Sequence, residues 1–282
     1  MPGSDEPGHR IDGAEAAELT PNRPGSVRWR GTVLYPGLLV GLFLGSQGVL
    51  GLVGVPPQHQ AALAALPAVT ALLLSLPPRL RLAWGSTRPW RDLGVEGATP
   101  LVAQALLRGL GKAILLLALV AVCLALAAQL RWQPRLTPGL VWNAVLLGLG
   151  VGFAEELLFR GWLQGELMLL LGRQRALWLQ AALFSLVHCR FDLPGRLLLS
   201  LLAGLLLLGL GLGLQRRSDG GLLWGAIGLH GGLVGGWFLI NQGLVEISAQ
   251  TPGWLIGPAN PVGSLPGCLG LGLLLVAQRR WL

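Results

Sequence analysis

Three ionisable residues interrupt an apolar stretch in the middle of the chain. Glu155, Glu156 and Arg160 lie between Leu140 and Leu171, where the only other charged residue is Glu166. An ionised side chain at membrane depth costs at least ~2.5–3.5 kcal/mol on insertion scales, so such residues normally face an interior cavity and carry function. On a helix, Glu156 and Arg160 are four residues apart, in the order that favours an ion pair, whereas Glu155 points about 100° away. We therefore predict that Glu156 and Arg160 form a structural pair and that Glu155 is free for chemistry.

Two histidines lie in later apolar runs. His188 ends the sequence Phe184-Ser-Leu-Val-His, and His230 is followed by two glycines. A carboxylate and two imidazoles inside membrane helices can bind and polarise a water, with the carboxylate as general base and an imidazole sharing the proton or polarising a carbonyl. Each feature alone also has a structural explanation, as a buried ion pair or a hydrogen-bonded interior histidine. Their joint occurrence in one half of the chain favours a common cavity, because intramembrane ionisable residues are rare.

Composition indicates the class of protein that must position these residues. The chain is 52% hydrophobic and 12% charged, about half the charged fraction of soluble domains. We predict an all-α polytopic membrane protein with about eight transmembrane helices around a polar intramembrane cavity. The candidate spans, of which the second and fifth are short for a bilayer, are Val33–Val55, Ala61–Leu76, Gly109–Leu130, Leu140–Leu158, Ala176–Val187, Leu197–Leu214, Leu222–Ile240 and Leu265–Ala277.

The basic residues predict the orientation of these spans. The net charge of +8 comes almost wholly from arginine, and arginines beside apolar spans are topology signals. With both termini cytoplasmic, most arginines lie inside, and the outside segments hold only Arg131, Arg135, Arg190 and Arg196. No nucleic-acid-binding motif is present, so the expected partners are the lipid bilayer and a membrane protein or peptide substrate. The expected location is a plasma or thylakoid-type membrane.

Three regions follow from this pattern. Residues 1–31 are polar and predict a disordered cytoplasmic tail. Residues 32–130 predict N-terminal membrane helices, with an interfacial segment at 89–111. Residues 131–282 hold every candidate site residue and predict the catalytic membrane core.

The motifs in this core resemble those of a known family. Glu155-Glu156-Leu-Leu-Phe-Arg160, Phe184-Ser-Leu-Val-His188 and His230 are similar to the motifs of the CPBP family, the CAAX-protease and bacteriocin-processing (ABI) membrane proteins. The resemblance covers about residues 140–282. The Asn-Pro sequence at Asn260 is similar to the version in cyanobacterial and plastid members.

The resemblance implies an intramembrane endopeptidase of about eight helices with a conical cavity open to the cytoplasm. By analogy with the Ras-converting branch, Glu155 is expected to be the general base and His188 to help bind the nucleophilic water. His230 is expected to stabilise the tetrahedral oxyanion. Glu156, Arg160 and Phe184 are expected to support the site.

One position departs from the family pattern. Four residues after His230 stands Val234, where the family has Asn or Asp. Valine cannot donate a hydrogen bond, and loss of one oxyanion donor costs ~10²–10³ in rate. Either another donor replaces it, with Asn260 or Asn241 as candidates, or activity is weak or absent. On one helix, Asn241 would be too far from His230, at about 16 Å.

Metal use and function leave alternatives open. One Glu and two His could form a zinc site with an open position, but the His-Glu-x-x-His motif is absent. The resemblance favours hydrolysis that requires no cofactor, with zinc as the alternative. The first functional hypothesis is cleavage of a peptide bond in a membrane-associated protein. The others are a proteolytically inactive scaffold or immunity-type protein with the same fold, and a small transporter or channel. The transporter is disfavoured because the charged residues cluster at one site and no repeated halves are visible.

Overall fold

The chain folds as a bundle of helices with one very short sheet. The computed structural model describes residues 27–258 and 260–281. The helices are α1 (Trp29–Leu52), α2 (Pro57–Trp84), α3 (Pro89–Asp92), α4 (Thr99–Leu126), α5 (Pro138–Glu156), α6 (Gln164–Leu171), α7 (Arg173–Val187), α8 (Gly195–Ser218), α9 (Trp224–Leu239), α10 (Gly253–Ile256) and α11 (Leu265–Ala277). Seven residues in a π-helical turn, Leu157–Leu163, join α5 to α6, and a second π turn, Ile240–Leu244, follows α9. Strands β1 (Leu130–Trp132) and β2 (Val245–Ile247) pair antiparallel, and 3-10 turns occupy Pro261–Gly263 and Arg279–Trp281.

The predicted all-α membrane class is confirmed. In the part of the chain that the structure describes, five helical segments are long and apolar enough to cross a bilayer: α1, α2, α4, the continuous α5–α6 unit and α8. The remaining apolar runs form α7, α9 and α11, with 15, 16 and 13 residues. Among the described residues, eight helical units coincide with the eight predicted apolar runs, but five reach spanning length, so the predicted count of eight transmembrane helices is not confirmed. Many leucines on the outer helices are exposed, including Leu38, Leu74 and Leu115 at 72–73%, as expected for a surface that meets lipid.

The helices define two opposite faces of the bundle. At one end, Arg79 near the end of α2 contacts Glu166 on α6, and Arg216 near the end of α8 contacts the carbonyl of Asp92, the last residue of α3. We call this end the arginine-rich face; it also carries Arg28, Arg30, Arg81, Arg88, Arg91, Arg173, Arg175, Arg217, Arg279 and Arg280. At the other end, which we call the opposite face, β1 pairs with β2 and α10 packs near the end of α4.

Helix α9 is the central element, and glycines let its neighbours approach it closely. A Cβ on Gly231 of α9 would lie 2.4 Å from the Gly148 carbonyl oxygen of α5. A Cβ on Gly109 of α4 would lie 2.0 Å from the Gly225 carbonyl oxygen. Real Cβ atoms do not approach backbone so closely, so these small residues set the spacing of α4, α5 and α9, as is common in membrane helix pairs.

A buried carboxylate joins the N-terminal helices to the core. Glu166 is fully buried and accepts hydrogen bonds from Thr32 of α1, from Nε and Nη2 of Arg79, and from the indole of Trp162. The guanidinium of Arg79 also lies 4.7 Å from the Tyr35 ring centre. Four donors satisfy the buried charge, which would otherwise be costly.

Two predicted boundaries differ from the structure. Helix α1 begins at Trp29, so the helix starts inside the segment 1–31 that was predicted as a disordered tail; residues 1–26 lie outside the described part of the chain. The predicted interfacial segment at 89–111 is not one helix. It consists of the four-residue α3, a turn, and the first half of α4, which begins at Thr99 and continues into the span.

Candidate active site

The two glutamates lie where α5 becomes a π turn. Thr137 caps the start of α5 by accepting a hydrogen bond from the Leu140 N–H, and Pro138 occupies the first turn, where its missing N–H costs nothing. The helix runs without interruption to Glu156, and the π turn begins at Leu157. A π turn holds an extra residue per turn and frequently occurs at functional sites. The turn begins directly after the two glutamates.

Glu156 is the buried centre of a hydrogen-bonded triad. Its Oε1 accepts from Nη1 of Arg160 at 2.9 Å and lies 2.8 Å from Nδ1 of His230 on α9. The side chains of Glu156 and Arg160 are fully buried, and that of His230 is 6% exposed. The predicted ion pair is therefore present, and it also holds the second histidine. The close contact of α5 with α9 at Gly148 and Gly231 brings these side chains within reach.

Glu155 turns away from this triad and faces two imidazoles. Its Oε2 lies 3.5 Å from Nε2 of His188 and 3.9 Å from Nε2 of His230. This oxygen is buried and has no hydrogen-bond partner, while the side chain as a whole is 29% exposed. The Glu155 side chain is therefore partly open to its surroundings, and its Oε2 makes no hydrogen bond that would have to break before it accepts a proton.

Hydrogen bonds to the other ring nitrogens orient both histidines. Nδ1 of His188 lies 2.7 Å from the Phe184 carbonyl oxygen, which can only accept, so Nδ1 carries a proton. Nδ1 of His230 donates in the same way to the Glu156 carboxylate. In the neutral rings, Nε2 of each histidine is then an acceptor directed toward Glu155. Three acceptor atoms, Oε2 of Glu155 and Nε2 of His188 and His230, therefore lie close together.

Phe184 fills the space between these groups. Its ring lies edge-on to His230 at a centroid distance of 5.7 Å and tilted against His188 at 4.8 Å. The guanidinium carbon of Arg160 lies 4.1 Å from the same ring centre, a cation–π contact that strengthens in a dry interior. The structure therefore brings together six of the seven predicted site residues.

Asn260 is the predicted residue that does not join the group. Its Oδ1 accepts from the Val262 N–H at 3.1 Å and caps the 3-10 turn before α11. Val234 lies one turn beyond His230 on α9, as predicted, and Asn241 is exposed in the π turn at the end of that helix. Within the described residues, neither asparagine hydrogen-bonds to a member of the site.

Two supporting residues escaped the sequence analysis. Arg216, which sequence reasoning treats as a topology signal, is 7% exposed and donates to the backbone carbonyls of Arg160, Gly161, Asp92 and Gly221. The first two of these carbonyls belong to the π turn. Gln180 of α7 is fully buried and donates to the Gly209 carbonyl of α8 at 3.0 Å. No local motif marks either residue; the only signal is a polar side chain beside an apolar run.

The residues that could hold a metal are Glu155, His188 and His230. Among the residues that the structure describes, no group of three or more His, Cys, Asp or Glu side chains has the arrangement of a metal site. Cys123, Cys189 and Cys268 are free thiols.

A comparison with protein-family models found a similarity for the part of the chain that holds the site. Residues 137–235 match the model described as type II CAAX prenyl endopeptidase Rce1-like. This segment is therefore similar to the Rce1-like family. The Rce1-like segment begins at the cap of α5, ends within α9, and contains Glu155, Glu156, Arg160, Phe184, His188 and His230. Searches of curated proteins and of solved structures found no match.

The match confirms the family resemblance seen in the sequence motifs. It covers about a third of the chain, leaving α1, α2, α4 and α11 outside. The Rce1-like segment together with the apolar helices supports a CAAX-type intramembrane protease in an integral membrane protein. The cyanobacterial–plastid affinity stays a prediction, because Asn260 lies outside the matched residues.

Proposed function

We propose that the chain is an intramembrane endopeptidase in which Glu155 activates a water to attack a peptide carbonyl. The observation that carries the proposal is the convergence of Glu155 Oε2 with Nε2 of His188 and His230. A water held between Glu155 and His188 can donate a hydrogen bond to each. The family match supports the same reaction class.

The proposed reaction needs only these side chains. Glu155 accepts a proton as the water oxygen bonds to the carbonyl carbon, and the carbonyl oxygen becomes an oxyanion. His230, whose Nδ1 is held by the Glu156 carboxylate, donates from Nε2 to this oxyanion when that nitrogen carries a proton. Collapse of the intermediate breaks the C–N bond, and Glu155 returns its proton to the leaving amine.

The supporting residues act on His230 and on the electrostatics of the site. Glu156 orients the His230 ring through their 2.8 Å contact, and Arg160 balances the buried charge of Glu156. Phe184 holds both imidazoles from one side. We propose that this reaction needs no metal, since water, base and oxyanion donor are all accounted for by protein groups.

A membrane proteome experiment tests the proposal. Cells lacking the gene are complemented with the wild type, Glu155→Gln or His188→Gln, and new protein termini are mapped by mass spectrometry. We expect the wild type to generate fragments that both variants reduce at least ~10²-fold, the range expected for loss of a general base. Glu246→Gln, which changes an exposed carboxylate on β2, is the matched control. Equal fragment levels with the wild type and Glu155→Gln would overturn the proposal.

A proteolytically inactive protein with the same fold is the second candidate, and Val234 is the observation that favours it. Val234 stands one turn from His230, and within the described residues no asparagine takes its place beside the site. Substitution Val234→Asn separates the two candidates. A weak protease should gain up to ~10²–10³-fold in kcat from an added oxyanion donor, whereas an inactive scaffold should gain nothing.

A further inference from the structure

Away from the candidate active site, polar side chains connect α4, α8 and α11 near the arginine-rich face. Nη2 of Arg108 on α4 donates to Oδ1 of Asp219, directly after α8, at 2.7 Å. The other carboxylate oxygen of Asp219 accepts from Nε2 of Gln215 at 2.7 Å. Oε1 of Gln215 accepts from Nζ of Lys112 on α4 and, at 3.0 Å, from Nε2 of Gln278, which follows α11. None of these residues takes part in the proposed reaction.

This polar cluster has a buried acidic side and a partly open basic side. The side chain of Asp219 is 1% exposed and Gln215 is fully buried, whereas the side chain of Arg108 is 47% exposed and Lys112 is half-buried. An arginine carries five N–H donors and a lysine three. Most donors of Arg108 and Lys112 therefore have no acceptor among the described residues. The buried groups hold both cations in place and leave these donors available to an acceptor from outside the protein.

The charges of the cluster do not balance. Within the described part of the chain, Asp219 is the carboxylate that pairs with Arg108, and Lys112 forms no ion pair. One carboxylate therefore stands against two cations. Arg216, which is next to Gln215 in the sequence, is buried and bonds to four backbone carbonyls. It adds positive charge that no described carboxylate pairs with. Unneutralised cations near hydrocarbon are costly, so the cluster is complementary to an anion.

Helix α4 places the two cations at the level of lipid headgroups. Arg108 lies 18 residues before the last residue of α4, Leu126, which is about 27 Å along the helix axis. The hydrocarbon layer of a bilayer is ~30 Å thick. With Leu126 at one edge of this layer, Arg108 therefore lies at the other. Lys112 lies about 6 Å deeper, one turn along α4, where a long basic side chain still reaches the headgroups.

From the two cations toward the membrane centre, α4 presents an apolar surface that acyl chains can cover. Ile114 and Leu115 are 65% and 72% exposed. Gly111 lies between Arg108 and Leu115 on the same side of the helix, and a Cβ on this glycine would have no atom within 4 Å. A pair of cations above an open apolar strip matches the chemistry of a phospholipid, which has a phosphate above two acyl chains.

We infer that Arg108 and Lys112 bind the phosphate of an anionic phospholipid from the leaflet at the arginine-rich face. The acyl chains lie along Gly111, Ile114 and Leu115, and the net negative charge of the lipid offsets the excess of positive charge. An excess of arginine marks the cytoplasmic side of membrane proteins, so this is predicted to be the cytoplasmic leaflet, which carries anionic lipids. The inference does not depend on the proposed function, since an inactive protein with this fold has the same cluster.

Native mass spectrometry of purified protein in neutral detergent micelles tests the charge requirement. We expect the wild type to bind phosphatidylglycerol at least ~10-fold more tightly than phosphatidylcholine, since each basic residue near the surface contributes ~5-fold. Lys112→Gln should weaken phosphatidylglycerol binding ~5-fold and leave phosphatidylcholine unchanged; its amide can still donate to Gln215, so the fold is kept. Arg81→Gln, at an exposed position on the same face, is the matched control. Equal affinities for the two lipids, or equal effects of the two variants, would overturn the inference.

A steric variant tests the path of the acyl chains without changing any charge. Gly111→Phe adds a ring to the open strip and should weaken phosphatidylglycerol binding at least ~5-fold. Gly41→Phe is the control, because Gly41 on α1 is exposed and a Cβ there also has no atom within 4 Å. Unchanged binding by Gly111→Phe would refute the placement of the chains.

Chemical labelling of the unsubstituted protein gives a further test. Lys112 is the only lysine in the sequence, so an amine-reactive acylating reagent modifies Lys112 and the N-terminal amine. Phosphatidylglycerol should slow modification of Lys112 at least ~5-fold relative to phosphatidylcholine and leave the N-terminal amine unaffected. Inorganic phosphate, compared with chloride at equal ionic strength, should protect less because it has no acyl chains. Equal protection by inorganic phosphate would show a site for free phosphate and refute the lipid, and absence of protection would refute an anion at Lys112.

Discussion

Substitution of Glu156 by glutamine should destabilise the fold by about 3–5 kcal/mol, the cost of breaking a buried ion pair by removing one partner. At 2.9 Å, with both side chains 0% exposed, the attraction to Arg160 is about 6 kcal/mol at an effective dielectric constant of ~20. Desolvation of the two charges offsets part of this attraction. Glutamine keeps the shape of the side chain, so loss of packing should contribute little.

Glu155→Gln is the matched control for the neighbouring residue. Oε2 of Glu155 has no hydrogen-bond partner and the side chain is 29% exposed, so the same chemical change should cost less than about 1 kcal/mol. The two variants should therefore differ in which property they lose. Glu155→Gln should abolish proteolysis and leave the free energy of unfolding nearly unchanged, whereas Glu156→Gln should lower the free energy of unfolding.

Arg160→Met completes a double-mutant cycle with Glu156→Gln, which measures the coupling between the two side chains. Alone it leaves the Glu156 carboxylate buried beside His230 and should be strongly destabilising. Combined with Glu156→Gln it removes both charges, so the double variant should be more stable than the sum of the single losses predicts, by about 2–3 kcal/mol.

Denaturant titration of purified protein in detergent micelles, followed by tryptophan fluorescence, measures these free energies of unfolding. The chain contains 11 tryptophans, including Trp162 beside the site. If Glu156→Gln and Glu155→Gln destabilise equally, or if the double variant shows no coupling, the division of the two glutamates into structural and chemical roles is refuted.

Three further outcomes test other parts of the structure. Gly231→Ala should destabilise the fold by about 1–3 kcal/mol and reduce proteolysis, because its Cβ would lie 2.4 Å from the Gly148 carbonyl oxygen. Gly150→Ala is the control, because a Cβ there would have no atom within 4 Å. Equal unfolding midpoints for the two variants would contradict the close packing of α5 and α9. Glu166→Gln should cost about 3–5 kcal/mol by leaving Arg79 unpaired, while Arg81→Gln at an exposed position should be neutral in the same titration. Fragment formation by purified protein in proteoliposomes should persist in a zinc chelator; loss of activity that added zinc restores would refute the metal-free reaction.

The helical class and most of the site follow from the sequence because the signals are local or strongly contrasted. Glu156 and Arg160 are neighbours on any helix, so their pair is predictable from spacing alone. Glu155 and the two histidines are rare polar residues in an apolar background. Such residues face the interior of a helix bundle because exposure to lipid is costly, so they are expected to lie close together.

The missed features depend on distant backbone groups. The π turn at Leu157–Leu163 frees carbonyls that Arg216 satisfies from α8, and no residue type predicts where a helix widens by one residue. The contact of Thr32 with Glu166 joins residues 134 apart. Asn260, one of the two candidates for a replacement oxyanion donor, differs from these cases because its side chain accepts a hydrogen bond from the Val262 N–H two residues on, a local contact that asparagine commonly makes.

The hydrogen bonds between Arg79 and Glu166 have a consequence for the order in which the protein assembles during synthesis. Arg79 precedes its partner by 87 residues, which at ~5–20 residues per second corresponds to about 4–17 s of synthesis. During that interval α1 and α2 are present with an arginine whose carboxylate does not yet exist. Arg79 must then keep its charged group at the water-exposed edge of the bilayer, as long basic side chains near helix ends do. Only the arrival of α6 draws the guanidinium inward, so docking of the N-terminal hairpin onto the protease core is a late step of assembly.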